Sequence, residues 1–118
     1  MLIGLVGIIH LLPVTGVLGA PSLQRLYGVA ITDPNLLILM QHRAVLFAIV
    51  GGVLLGAAFR PEWRTLAITV GLVSVVSFLL VAWSTGGYNA LIARVVWIDV
   101  VALVMLVVAA LLEGIKRR

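Results

Sequence analysis

The sequence predicts an all-α protein: an antiparallel bundle of four transmembrane helices that forms a single integral membrane domain over residues 1–118. Hydrophobic residues make up 64% of the chain and charged residues only 10%, which exceeds the apolar surface that a soluble domain of this size can bury. Four long stretches carry almost no charge, and a spanning helix needs roughly 20 apolar residues. We therefore expect four passes across a lipid bilayer.

The first predicted helix covers residues 2–19 and contains a proline. No basic segment precedes its apolar run, so we interpret it as a retained helix and not as a signal peptide. Pro13 lacks a backbone donor and should kink the helix, or end it early, near residues 9–12.

A short interfacial helix is expected between the first and second spans. Leu23, Leu26 and Tyr27 lie at helical spacing, and Gly28 is placed to end the helix. This segment should lie on the membrane surface, with Tyr27 at the outer boundary.

The three remaining spans are predicted at 34–59, 62–84 and 89–113. The second helix has a well-marked start, because Asp33 can cap its free amides and Pro34 suits the first helical position. The connection to the third helix is so short that the two helices should form a tight antiparallel hairpin.

Basic residues are distributed unequally between the two predicted sides of the membrane. Arg25 and Arg94 lie on one side; on the side of the termini are Arg60, Arg64, Lys116, Arg117 and Arg118. The positive-inside rule therefore places both termini in the cytoplasm. We assign the net charge of +4 to this topology and to contact with anionic lipid, and we expect no nucleic-acid partner.

Two spans are interrupted by charges of opposite sign, Arg43 in the second helix and Asp99 in the fourth. At 1.5 Å per residue, each lies about 13–15 Å from the outer end of its helix. A charge at this depth is costly unless it is paired or wetted. We expect the two side chains to meet, either as a structural ion pair or within a ligand, proton or substrate site. The alternative for Arg43 is to extend outward to the headgroups.

These charges are assigned to an outward-facing polar pocket within the membrane. Its predicted residues are His10, His42, Arg43, Ser74, Ser77, Tyr88, Trp97 and Asp99. The expected occupant is a small or lipid-like molecule, and docking of a larger membrane protein is the second interpretation. His10 alone can also be a hydrogen-bonded structural residue.

The chain lacks the motifs of common enzyme classes: it has no Walker loop, dinucleotide fingerprint, GxSxG elbow or HExxH helix. It has no cysteine, which removes thiolate metal ligands and cysteine nucleophiles. We therefore predict no catalytic residue, no metal site and no cofactor, and a binding or accessory role.

Two alternatives come from other functional classes. In a small secondary transporter or proton-coupled carrier, Asp99 and His10 would exchange protons as the pocket changes access. In a haem protein, His10 and His42 would ligate a b-type haem across the bundle.

Four small residues follow one another at every fourth position of the second helix, Ala44, Ala48, Gly52 and Gly56. Small residues let helix backbones approach closely in lipid. We expect this ladder to pack against the third helix within the hairpin, and a homodimer interface is the alternative.

Several short segments resemble small bacterial four-helix membrane proteins of uncharacterised function, the DoxX-like group. They are residues 10–13, 25–29, 33–35, 41–47 and 87–89, together with Asp99. The resemblance implies a four-helix fold in the bacterial inner (plasma) membrane and brings no established activity. Some such proteins carry the label phosphopantetheine adenylyltransferase, which does not suit this chain because the phosphate motif of that soluble enzyme is absent.

Overall fold

The computed structural model describes residues 2–116, and these residues form helices and connections without a strand. The α-helices are α1 (Leu2–Leu11), α2 (Ala20–Tyr27), α3 (Pro34–Phe59), α4 (Arg64–Thr85) and α5 (Ala90–Lys116). Two 3₁₀ helices, Leu12–Leu18 and Pro61–Trp63, follow α1 and precede α4. Arg117 and Arg118 of the predicted basic tail lie outside the described residues.

Three helices are long and apolar enough to cross a membrane: Pro34–Phe59, Pro61–Thr85 and Ala90–Ile115. Their lengths of 25 or 26 residues exceed the roughly 20 that a spanning helix needs. Length and composition therefore support an integral membrane protein with several spans. The helix predicted at 34–59 is observed with those bounds, and α4 and α5 lie within a few residues of the other two predictions.

The first apolar segment changes its helical form before Pro13, as the sequence predicts. The α-helix ends at Leu11 and continues as a 3₁₀ helix to Leu18, because proline cannot supply an interior α-helical hydrogen bond. A 3₁₀ helix rises about 2.0 Å per residue against 1.5 Å in an α-helix. The 10 and 7 residues of the two parts therefore extend about 29 Å together.

The predicted short helix is present as α2, and it packs onto the start of α5. Leu23 and Tyr27 form its buried side, and Gly28 ends it in the left-handed conformation at φ 69°. The Asn89 side-chain amide donates to the Tyr27 carbonyl at 2.7 Å, and its oxygen accepts from the Ile92 amide at 2.8 Å. One side chain therefore caps α5 and holds the end of α2 against it.

The second helix begins at the predicted cap: the Asp33 carboxylate accepts from the Asn35 amide at 2.9 Å. At its other end, Arg60 and the short 3₁₀ turn lead directly into α4. We call this end of the molecule, with residues 60–63, the hairpin end. The opposite end, with α2 and residues 86–89, is the α2 end.

The core that extends from the middle of the bundle to the hairpin end is tightly packed. Val6, Leu54, Val75 and Leu106 are fully buried, and each comes from a different long segment. Helix α1 packs on α3 and α5, and α4 packs on the same two helices. Helices α3 and α5 therefore lie diagonally opposite each other.

The closest approach of two helices joins α1 to α3 and not α3 to α4. A Cβ added at Gly7 would lie 2.9 Å from the Leu55 backbone nitrogen, and one at Gly51 would lie 3.0 Å from the Gly7 carbonyl oxygen. Of the predicted ladder, Gly56 contacts Trp63 in the connection, whereas Gly52 faces open space. The small residue of α3 that lies at this close contact is thus Gly51, which precedes the ladder residue Gly52.

Candidate functional site

A cavity of about 370 Å³ lies between α3 and α4 on the side of the α2 end, and it is open to the surroundings. Its lining residues are Arg43, Leu46, Phe47, Val50, Ser74, Ser77, Phe78 and Val81. We call this cavity the α3–α4 groove. Its walls are mainly apolar, with one charged group and two hydroxyls, and its volume falls within the usual range of small-molecule sites.

Arg43 is held in the groove wall by aromatic residues from three helices. Its guanidinium donates to the Tyr27 hydroxyl at 2.7 Å. The guanidinium carbon also lies 4.4 Å from the ring centre of Phe47, 5.3 Å from that of Tyr27 and 5.6 Å from that of Phe78. A guanidinium stacks favourably on aromatic faces where water is scarce, so this cluster stabilises a charge that lipid alone would not.

His10 lies behind the groove and is only 3% exposed. Its Nδ1 is 3.0 Å from the Val6 carbonyl oxygen, and its Nε2 is 3.1 Å from the Ser74 hydroxyl. Because a carbonyl only accepts, Nδ1 carries a proton. In the neutral ring Nε2 then accepts from Ser74, which fixes the direction of that hydroxyl.

The direct ion pair expected between Arg43 and Asp99 is not formed. The ion pairs that the structure shows within residues 2–116 are Arg60–Glu62 at 3.9 Å and Arg64–Glu113 at 3.2 Å. Asp99 is half-buried, and neither of these ion pairs includes it. The pair does not form because α3 and α5 are not neighbours in the bundle. The Arg43 side chain extends instead to α2, where it bonds to Tyr27.

The structure brings some of the predicted pocket residues together in the groove and places others outside it. Arg43, Ser74 and Ser77 line the groove, with His10 bonded to Ser74. Three other predicted residues are exposed and do not line it: His42, Tyr88 and Trp97. Trp97 is 70% exposed on α5, as expected for a side chain in contact with lipid.

Sequence reasoning missed the aromatic residues around Arg43. Phe47 lies one helical turn from Arg43, so that spacing could have indicated the contact. Tyr27 was expected at the outer boundary but is only 5% exposed. It turns inward because α2 packs with its Leu23–Tyr27 side against the bundle. The helical spacing of these residues indicates an apolar face, but it does not state whether that face meets lipid or protein.

The geometry also bears on metal and haem binding. Within residues 2–116 no group of three or more histidine, cysteine, aspartate or glutamate residues could hold a metal ion. Both ring nitrogens of His10 are in hydrogen bonds to protein atoms, and His42 is exposed. Haem ligation by His10 would require breaking one of those bonds.

Comparison with protein families, with curated proteins and with solved structures gives no match to this chain. The fold supports only a coarse class, a helical protein with several helices long and apolar enough to span a membrane. Chemically, the groove can bind an acceptor or anionic group at Arg43 and apolar groups along its walls.

Proposed function

We propose that this protein binds a small or lipid-like molecule in the α3–α4 groove and serves a binding or accessory role in a bacterial inner membrane. The observation that carries this proposal is the position of Arg43. A permanently charged side chain is held by aromatic rings in the wall of an open, mostly apolar groove. Charged groups at such depth are costly and are retained chiefly where they serve a function.

The proposal includes four spans, the first formed by Leu2–Leu18. Its extent of about 29 Å is close to the roughly 30 Å thickness of the hydrocarbon core. Its packing along α3 supports the same arrangement. The proposed membership of the DoxX-like group rests on the short segments quoted above.

We also propose that both termini are cytoplasmic, so that the α2 end and the groove face outward. Basic residues at the hairpin end support this orientation. A fluorescent reporter that matures only in the cytoplasm should be active when fused after Arg118, and a phosphatase active only outside the membrane should not. The reverse result would overturn the orientation without affecting the groove.

Binding is tested by blocking the groove with a bulky side chain. Ser77 and Ser84 form a matched pair on α4: both are exposed, and each hydroxyl donates to the carbonyl three residues earlier. Only Ser77 lines the groove. After incubation with a total lipid extract, native mass spectrometry should show a bound molecule on the wild type and on Ser84→Trp, and much less on Ser77→Trp. Equal retention by all three proteins, or no bound molecule, would contradict the proposal.

A proton-coupled carrier is the second candidate function, and one observation favours it. Asp99 lies half-buried on a helix long enough to span a membrane, and among residues 2–116 the structure shows no hydrogen bond or ion pair to its carboxylate. In liposomes with an imposed pH gradient, a carrier would move protons with its substrate, and Asp99→Asn would abolish the coupling.

A larger membrane protein or a second copy of the chain is the alternative partner under the binding proposal.

A further inference from the structure

Arg43 has hydrogen-bonding capacity that the protein does not use. A guanidinium carries five N–H donors, and the structure shows one hydrogen bond from this one, to Tyr27. The ion pairs found among the described residues involve other arginines. The positive charge in the groove wall is therefore available to a group from outside the chain.

The two hydroxyls of the groove are already engaged as donors. Ser74 donates to Nε2 of the neutral His10 ring, and Ser77 donates to the Ser74 carbonyl at 3.0 Å. Arg43 is thus the group in the lining that offers free donors. A matching ligand needs one anionic or strongly accepting group, placed at one point of the groove.

The remainder of the lining selects an apolar body. From Arg43 to Val50 the groove follows α3 for about 10 Å, at a rise of 1.5 Å per residue. Leu46, Phe78 and Val81 complete this wall without a further charge. Such a channel suits one extended hydrocarbon chain lying between two helices.

The depth of Arg43 favours a small headgroup. By rise along α3 its Cα lies about 13 Å from Pro34, which in the proposed topology is below the level where a bilayer phospholipid places its phosphate and glycerol. A carboxylate at the end of a single chain can reach this depth and accept two parallel bonds from a guanidinium. Resting on the proposed function, we infer that the groove binds a long-chain fatty acid, with its carboxylate on Arg43 and its chain along the apolar wall.

The test compares three ligands on the purified full-length protein in a neutral detergent at alkaline pH, where a carboxylic acid is ionised. They are palmitate, methyl palmitate and phosphatidylglycerol, each titrated and followed by native mass spectrometry and by the shift in melting temperature. Palmitate should bind saturably. The affinity for its methyl ester should be lower by a factor of about ten or more, because charge-assisted hydrogen bonds supply at least that factor.

Variants locate the carboxylate. Arg43→Gln should lower palmitate affinity about tenfold or more and lower ester affinity by a smaller factor, because the ester carbonyl carries no charge. Arg94→Gln, an exposed arginine on α5, is the matched control and should bind palmitate like the wild type. Gel filtration in detergent checks that each variant is folded. If Arg43→Gln fails to fold, the acid and ester comparison on the wild type still decides the inference.

The outcomes separate this inference from the proposal beneath it. Equal binding of acid and ester would overturn the fatty-acid inference and leave the groove as a site for apolar chains. Tighter, Arg43-dependent binding of phosphatidylglycerol would also overturn it, in favour of a bilayer lipid. If none of the three binds the wild type and no molecule from the lipid extract does, the proposed function itself is wrong.

Discussion

The two ends of the molecule are packed in different ways. Near the hairpin end, four fully buried aliphatic side chains from different segments meet in one core, and α1 touches α3 through glycine. Toward the α2 end, α3 and α4 enclose an open groove, whose mainly apolar lining also includes one arginine and two serines. The first region brings helices into close contact, and the second leaves a charged group in the wall of an open groove.

The difference shows how a small membrane protein can divide stability from function. In lipid, helices gain little from burying apolar surface, so close packing of small residues and interdigitated side chains must hold them together. The tightly packed end supplies that packing. The α2 end can then keep a groove and a charge, both of which cost stability.

We expect the largest loss of stability from a substitution that leaves a cavity in the tightly packed core. Leu106 is fully buried, and Leu106→Ala should cost about 2–5 kcal/mol, the range for leucine truncation in protein cores. Leu111→Ala on the same helix, at a residue 63% exposed, is the control and should change little. The measurement is unfolding in detergent followed by circular dichroism. Similar losses in both variants would mean that Leu106 does not lie in a tightly packed core as described.

At the α2 end, we expect the largest loss of stability from removing one atom, the hydroxyl oxygen of Tyr27. Tyr27→Phe keeps the ring over Arg43 and removes its hydrogen-bond acceptor, at a cost of about 1.5–3 kcal/mol for a bond to a charged group. Tyr88→Phe, at a residue 44% exposed, is the matched control and should be neutral. The same unfolding measurement applies. An unchanged midpoint for Tyr27→Phe would show that Arg43 has another partner.

Two adjacent glycines of α3 test the contact between α1 and α3, because only one of them lies in it. Gly51→Ala places a methyl group 2.8 Å from Leu11 and 3.0 Å from the Gly7 carbonyl oxygen, so it should cost about 1–3 kcal/mol. Gly52→Ala meets nothing within 4 Å and should be neutral or stabilise by up to about 1 kcal/mol. Reversal of this order would place the α1–α3 interface on the other face of α3.

The smallest effect is expected from the ion pairs at the hairpin end. Arg64 and Glu113 lie 3.2 Å apart with side chains 27% and 20% exposed, so a double-mutant cycle with Arg64→Gln and Glu113→Gln should give a coupling of about 0.2–1 kcal/mol. Arg60 and Glu62, 3.9 Å apart and both 64% exposed, are the control pair and should show none. A coupling near zero for both pairs would leave the core packing as the main source of stability at this end.

Local signals in the sequence predicted the helices well. The cap at Asp33 and Pro34, the interruption at Pro13 and the stop at Gly28 act within one or two turns of helix, so neighbouring residues are enough to determine them. Hydrophobic length predicted the membrane class for a similar reason, since each span must satisfy its own backbone in lipid.

The candidate site depended on tertiary structure. Counting along each helix predicted similar levels for Arg43 and Asp99, but such a count does not state which helices are neighbours. Only the packing order makes α3 and α5 diagonal, and only the docking of α2 carries Tyr27 to Arg43. The sequence by itself determined which helices are long and apolar enough to span a membrane and which polar side chains interrupt them. The tertiary structure decided which partners they have, because contacts between distant segments depend on how whole helices pack.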